Sequence, residues 1–163
     1  MLGRIIAVTA AVLALTGGHA AAAGSWSWPV DGPVLEPFDA PASPYGTGHR
    51  GIDIAAPVGT PIRAPAPGVV TFSGPVGGEL FVTIRHAAAV ESTYSWLSAV
   101  SVRRGDVVAS GSVVAATGRG HAGRTPAHLH FGVRRDGAYV DPLDLLSPGS
   151  VVGLIRLAPL PTR

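Results

Sequence analysis

Two histidines, His128 and His130, stand one residue apart in a run whose composition is that of a β-strand. On a strand, residues two apart point to the same face and lie about 7 Å from each other. Two imidazoles placed side by side cost desolvation and, if both are protonated, repulsion. A metal ligand with a neighbouring proton-transfer group requires such a pair. The spacing therefore predicts metal-assisted chemistry, for which the rest of the chain must supply further ligands.

His49 and Asp53 are the natural partners of His130. Two imidazoles, one carboxylate and a water in the fourth position fit zinc, and without cysteine any metal must be held by His, Asp or Glu. In a regular strand His49 and Asp53 would lie about 13 Å apart, too far for one ion. Gly51 lies between them and can take a bulge or turn that brings them together. The same spacing fits one helix face, but Gly51 and its β-branched neighbours disfavour a helix.

The elements that must position these residues are short strands. Segments rich in β-branched residues follow one another from residue 49 to 146, separated by Gly and Pro, of which the chain has 22 and 15. Asp136-Gly137 is a strong signal for a hairpin turn. No window longer than about ten residues shows the periodicity of an amphipathic helix. We expect an all-β fold, a single domain of short antiparallel strands that resembles a barrel-sandwich and has a groove over the sheet.

Composition narrows the class of protein. The chain has 163 residues, of which 47% are hydrophobic and 13% charged, enough for one domain with a real core. The net charge of +2 comes without a basic block, so we expect no nucleic-acid partner. A faint internal similarity between residues 57–64 and 102–109 would suit a lipoyl or biotinyl carrier domain. Those carriers modify a lysine, and this chain has none, which excludes that class.

The first 23 residues have the pattern of a secretory signal peptide. Arg4 supplies the positive charge, an apolar run from Ile5 to Leu15 follows, and Ala21-Ala22-Ala23 is a suitable cleavage site. A retained membrane-anchor helix is the alternative, whereas a lipoprotein anchor would need a cysteine. We expect a secreted, extracytoplasmic protein with no stable membrane association after cleavage. Residues 24–48 then form an N-terminal strand and wrapping loop, in which Trp26 and Trp28 pack on the core.

The motifs together resemble the lysostaphin- or LytM-type zinc endopeptidases of bacterial cell walls. The resemblance rests on the following motifs, in chain order: His49-x-Gly51-x-Asp53, Ala56-Pro57-x-Gly59-Thr60-Pro61, Gly68-x-Val70, Gly105-Asp106-x-Val108, His128-Leu129-His130-Phe131 and Asp141-Pro142. It extends from about Trp28 to Leu146. It implies that His49, Asp53 and His130 bind Zn²⁺ and that His128 is a catalytic histidine beside the metal.

One position departs from that family. A second catalytic histidine is expected in a Tyr-x-His-Leu motif, but the corresponding stretch reads Tyr94-Ser95-Trp96-Leu97. Tryptophan cannot accept a hydrogen bond or carry a proton. Three hypotheses follow: His128 suffices alone in a slower enzyme; His121 or His86 reaches in as a substitute, His121 being the better candidate; or hydrolysis is lost.

The resemblance implies a secreted zinc metalloendopeptidase that hydrolyses peptide bonds in peptidoglycan stem or cross-link peptides. Its domain would span residues 49–146, and residues 147–163 would form a strand-like tail packed on it. The alternative is a zinc-binding but weak or inactive relative that binds cell wall or regulates another hydrolase. We expect a monomer associated with the cell wall, with peptidoglycan peptides as partners. A purely structural secreted β-domain would leave the four metal-site residues unexplained.

Overall fold

A computed structural model of the chain describes residues 26–43, 46–123 and 126–146. The expected signal peptide over residues 1–23 and the expected strand-like stretch at Val151–Leu157 lie outside the described residues. Within the described residues, no helix is long and apolar enough to cross a membrane.

The described residues form ten β-strands and one 3₁₀ helix. The helix, Pro142–Asp144, begins after Asp141, whose side chain accepts a hydrogen bond from the Leu143 backbone N–H. The strands, in chain order, are β1 (Val34–Glu36), β2 (Ile52–Ala55), β3 (Pro61–Arg63), β4 (Gly68–Val76), β5 (Glu79–Arg85), β6 (Val90–Val100), β7 (Val107–Val108), β8 (Val113–Thr117), β9 (His128–Arg135) and β10 (Ala138–Val140).

All ten strands belong to one antiparallel sheet, so the predicted all-β class is confirmed. Its main path runs β1-β2-β9-β6-β5-β4-β7, while β10 pairs with β9, and β8 pairs with both β6 and β3. The hairpin between β9 and β10 turns at Asp136 and Gly137, whose φ angles are +51° and +82°. Positive φ at both central residues suits the right-handed twist of the flanking strands, as the Asp-Gly signal predicts.

Strand β9 is the centre of the sheet, between β2 and β6. Its first six residues are buried, and Ile52 and Ile54 of β2 are fully buried beside it. Such continuous burial explains why both strands read as apolar runs interrupted only by the polar residues of the site. Charged and imidazole side chains in this position need partners, because an unpaired buried polar group is costly.

The N-terminal segment differs in detail from the expected strand. Trp26 makes only an isolated bridge to Leu146, and the regular strand begins later, at Val34. The Trp26 ring is nonetheless buried and lies 4.5 Å from the ring of His86. Trp28 packs partly buried against the same core. Both tryptophans are therefore core residues, as the sequence predicted.

Candidate metal centre

The pairing of β2 with β9 brings two of the predicted ligands together. In this register Asp53 lies opposite His130, and Ala55 lies opposite His128. Directly opposed residues of an antiparallel pair have Cβ atoms about 4.5–5.5 Å apart, within reach of one ion. The register of two strands separated by more than seventy residues therefore creates the carboxylate–imidazole pair.

His49 reaches the same point because the chain bends just before β2. A Cβ atom on Gly51 would lie 2.4 Å from the Phe131 carbonyl oxygen, so only glycine allows this close approach to β9. His49 itself pairs with Asp39 in an isolated bridge rather than extending β2. The bend that the sequence predicted at Gly51 thus brings His49 closer to Asp53 than the separation of about 13 Å in a regular strand.

The donor atoms of His49, Asp53 and His130 converge. His130 Nδ1 lies 2.9 Å from Asp53 Oδ1, His49 Nε2 lies 3.1 Å from the same oxygen, and the two nitrogens are 3.0 Å apart. All three side chains are buried. The three residues predicted as ligands are therefore brought into one small volume.

The chemistry of these donors calls for a cation between them. His49 Nδ1 donates to the Pro37 carbonyl oxygen at 2.8 Å, so a neutral His49 presents the lone pair of Nε2 to the centre. Asp53 Oδ1 and Nε2 are then two acceptors 3.1 Å apart. A divalent metal ion satisfies both, and the outer hydrogen bond to Pro37 is the kind of contact that orients metal-binding histidines. The residues present therefore fit a metal ion.

His121 joins the cluster from the loop between β8 and β9. Its Nε2 lies 3.3 Å from His130 Nδ1 and 3.4 Å from Asp53 Oδ1. The donor atoms of His49, Asp53, His121 and His130 all lie within 4.8 Å of one another. Sequence reasoning proposed His121 only as a substitute proton carrier, because nothing local indicates where a Gly-rich loop folds.

His128 lies beside the cluster rather than within it. Its Nδ1 donates to the Pro126 carbonyl oxygen at 2.9 Å, and its Nε2 accepts the backbone N–H of His121 at 3.1 Å. The ring is therefore neutral, with the hydrogen on Nδ1. Nε2 also lies 3.6 Å from Asp53 Oδ2. His128 is thus a buried imidazole with a lone pair near the metal-binding atoms.

Trp96 lies at the edge of the cluster. Its ring centroid is 3.8 Å from that of His121 and 5.3 Å from that of His130. Its φ angle is +57°, a left-handed conformation uncommon for a bulky residue. The position at which the family resemblance expects a histidine therefore contacts two of the imidazoles.

His86, the other histidine considered as a substitute, lies elsewhere. Its Nδ1 is 2.9 Å from the Pro67 carbonyl oxygen, and its Nε2 is 2.8 Å from Ser92 Oγ. Burial lowers its pKa, against the opposing effect of its backbone hydrogen bonds. His86 is a structural residue of the core and does not join the metal centre.

Two groups of the centre have shifted pKa values. Burial would raise the pKa of Asp53, but the hydrogen bond and charge of His130, with His49 and His121 nearby, lower it overall. Burial lowers the pKa of His121, assisted by the neighbouring histidines and opposed by Asp53. An ionised Asp53 and a neutral His121 are the forms that bind metals, since ligands must be deprotonated.

A groove of about 430 Å³ runs over the sheet past the cluster. Thr83, Thr93 and Ser95 of β5 and β6 line it beside Trp96, with Arg134 and Tyr139 also on its wall. The Arg134 guanidinium donates to the Tyr139 hydroxyl and stacks 4.4 Å from that ring's centroid. Sequence reasoning did not single out these lining residues, although Thr93 and Ser95 share one strand face by their spacing of two.

The sequence pattern of peptidase family M23 matches residues 47–142, more than half of the chain. The chain belongs to peptidase family M23. The matched region contains His49, Asp53, Trp96 and the two histidines of β9. The predicted relationship to the lysostaphin- and LytM-type peptidases is therefore confirmed at the level of the family.

Individual relatives agree with this assignment. The chain is 46% identical over 106 residues to the DD-carboxypeptidase/endopeptidase Mpg of Neisseria meningitidis, which covers 61% of this chain and 23% of that protein. It is 36% identical over 128 residues to a lipoprotein NlpD/LppB homolog of Pseudomonas aeruginosa, covering 77% of this chain and 41% of the relative. The chain thus spans only part of the length of these relatives.

A solved structure of similar fold is that of a zinc-containing peptidase from Vibrio cholerae. It superposes with a TM-score of 0.63 at 26% identity, covering 77% of this chain and 41% of that chain.

Proposed function

We propose that the protein is a secreted zinc-dependent metalloendopeptidase that hydrolyses peptide bonds in peptidoglycan stem or cross-link peptides. The observation that carries the proposal is the convergence of His49, Asp53 and His130 donor atoms at 2.9–3.1 Å, with His128 beside them. Membership of family M23 and the endopeptidase name of a 46% identical relative support it. The metallopeptidase unit would span residues 49–146, after a signal peptide over residues 1–23.

His49, Asp53 and His130 would hold the zinc ion. A bound Zn²⁺ polarises a carbonyl oxygen and lowers the pKa of its water toward neutrality. Asp53 contributes the negative charge that two neutral imidazoles lack. Its depressed pKa keeps it ionised at neutral pH, so the site remains competent for a divalent cation.

His128 is the proposed proton-transfer residue. Its Nε2 carries no hydrogen and points toward the metal-binding atoms, 3.6 Å from Asp53 Oδ2. On gaining a proton at Nε2, the ring would remain anchored by its Nδ1–H bond to the Pro126 carbonyl. The imidazolium could then donate that proton to a departing amine, which is the usual cycle of a general base that becomes a general acid.

The second candidate function is a zinc-binding relative with weak or no hydrolysis that binds cell wall or regulates another hydrolase. Trp96 is the specific observation in its favour, because an indole replaces the expected second histidine and cannot accept a proton. The opposing observation is His121, the substitute proton carrier that the sequence suggests, whose Nε2 lies close to Asp53 and His130. Both candidates share the metal centre and differ in turnover.

Digestion of purified peptidoglycan by the full chain tests the proposal. With one equivalent of zinc we expect soluble muropeptides whose masses identify the cleaved peptide bond, and EDTA should abolish their release. His130→Ala is the matched control for metal dependence. A protein that binds zinc tightly yet releases no fragments from peptidoglycan or from a cross-linked stem peptide would favour the second candidate.

A further inference from the structure

Residues 118–123, in the loop between β8 and β9, pack over the metal centre, where His121 contacts two of its functional groups. The side chain of His121 points into the cluster, while its backbone N–H donates to Nε2 of His128. Gly120, the preceding residue, has a φ of +83° and lies so close that a Cβ would be 2.3 Å from the His128 ring. Gly120 and His121 thus both pack closely against the metal centre.

The donor atoms of four residues lie within 4.8 Å of one another, and five of the six distances among them are close to those of a tetrahedral site. Zinc binds nitrogen and oxygen at about 2.0–2.2 Å, so the edges of a tetrahedron of such ligands measure about 3.3–3.6 Å. The three distances within His49, Asp53 and His130 are 2.9, 3.0 and 3.1 Å. The two distances from His121 Nε2, to His130 and Asp53, are 3.3 and 3.4 Å. His121 therefore matches the tetrahedral edge toward both His130 and Asp53.

Trp96 supports His121 in this position. The two rings are 3.8 Å apart between centroids, with planes inclined by 39°. The His128 ring lies 5.4 Å from that of His121 in a stacked arrangement, and Phe81 packs 5.8 Å from Trp96. The left-handed backbone of Trp96 is the kind of strain that persists where the surroundings fix a functional side chain.

We propose that His121 is a fourth protein ligand of the metal ion, positioned by Trp96, so that the resting metal centre is closed. The inference rests on the proposed function only in requiring a metal at His49, Asp53 and His130. Sites with four protein ligands are typical of structural zinc, whereas catalytic zinc keeps a position for water. Hydrolysis therefore requires His121 to leave, and the same movement of the loop frees Nε2 of His128.

Zinc affinity tests whether His121 is a metal ligand, independently of hydrolytic activity. We expect His121→Ala to weaken zinc binding, measured by competition with a chromophoric chelator, by at least about 10- to 100-fold, the range for outer-shell partners. Arg119→Ala, at an exposed position of the same loop, is the matched control and should bind as the parent does. Unchanged zinc affinity in His121→Ala would overturn the proposal.

Cobalt substitution tests whether the centre is closed. The parent should show an intense tetrahedral Co²⁺ spectrum that azide does not alter, because no ligand position is open. In His121→Ala, azide should change the spectrum. A parent spectrum that responds to azide as the variant does would show an open position and contradict the closed centre.

Two variants test whether Trp96 positions His121. Trp96→Ala should lower zinc affinity by about 10-fold and make the Co²⁺ spectrum responsive to azide, while Trp96→Phe, which keeps an aromatic face, should restore both. Equal affinities and spectra in the parent and both variants would remove Trp96 from the proposal.

X-ray absorption at the zinc edge of the unmodified protein gives an answer that does not depend on any variant folding. Three imidazole ligands are expected, and two would overturn the proposal. This result is independent of turnover. Three imidazoles without peptidoglycan cleavage would support His121 as a ligand and contradict the proposed peptidase activity. Two imidazoles with cleavage would support the peptidase activity and contradict His121 as a ligand.

Discussion

The four histidines around Asp53 differ in which ring nitrogen is engaged and by what. His49 presents Nε2 to the cluster because its Nδ1 donates to Pro37, whereas His130 presents Nδ1. His128 holds its hydrogen on Nδ1 against Pro126 and leaves Nε2 as an acceptor. The outer hydrogen bonds of His49 and His128 thus fix which nitrogen each ring presents toward Asp53, while the position of the ring decides whether it serves as ligand or as base.

His128→Ala and His130→Ala should separate these roles. His128→Ala removes a proton carrier but none of the converging donors, so we expect near-parental zinc affinity and hydrolysis slower by about 10²–10⁴-fold. His130→Ala removes a ligand and should abolish zinc binding along with activity. Zinc affinity by chelator competition and muropeptide release from peptidoglycan measure the two effects. Full hydrolysis by His128→Ala would rule out its assigned role.

At the scale of elements, the centre depends on two strands and one loop. Strands β2 and β9 fix Asp53 and His130 through their register, and buried Ile52, Leu129 and Phe131 hold that register. A slip by one residue would turn these side chains to the other face. The described residues of the loop between β8 and β9 belong to no strand, so the position of His121 depends on the fit of single residues.

Gly120→Ala should cost more stability than Gly123→Ala. Both glycines have positive φ, +83° and +76°, so each alanine carries a similar backbone cost of about 1–2 kcal/mol. At Gly120 the new Cβ would also lie 2.3 Å from His128, whereas nothing lies within 4 Å at Gly123. Overpacking of this kind costs about 1–3 kcal/mol, which should appear as the difference between the variants in urea unfolding. Equal losses would mean that Gly120 is not packed on His128.

At the scale of the whole molecule, His86 connects distant parts of the chain. It contacts Trp26 of the N-terminal segment, the Pro67 carbonyl before β4 and Ser92 of β6. Burial lowers its pKa, so the folded protein holds this imidazole neutral. The ring contact of His86 with Trp26, together with its hydrogen bonds to Pro67 and Ser92, therefore couples the N-terminal segment to the sheet.

Stability should fall on acidification through His86. Because its folded pKa lies below the unfolded value of 6.5, the unfolded chain binds the proton first. The stabilisation is therefore complete above about pH 6.5 and is lost as pH falls through the folded pKa, by at most about 1.4 kcal/mol per pH unit. Urea unfolding of the parent and His86→Gln in EDTA between pH 7.5 and 5 measures this. Identical pH slopes for the two proteins would contradict it.

The sequence by itself determined the all-β class, the family and the residues that the centre collects. These features are local: strand periodicity, Asp-Gly at a hairpin, and histidines and an aspartate at short spacings. Even the bend before β2 could be predicted, because Gly51 stands between His49 and Asp53. The sequence also shows tryptophan rather than histidine at position 96.

Only the tertiary structure decided how those residues meet. The pairing of Asp53 with His130 depends on strands more than seventy residues apart, and no local pattern encodes that register. The position of His121 depends on a Gly-rich loop that carries no periodic signal. Its contact with Trp96 places side by side two residues that the sequence connected only through the hypothesis that His121 substitutes for the missing histidine. Long-range packing, which no local spacing records, therefore decided whether the centre has three protein donors or four.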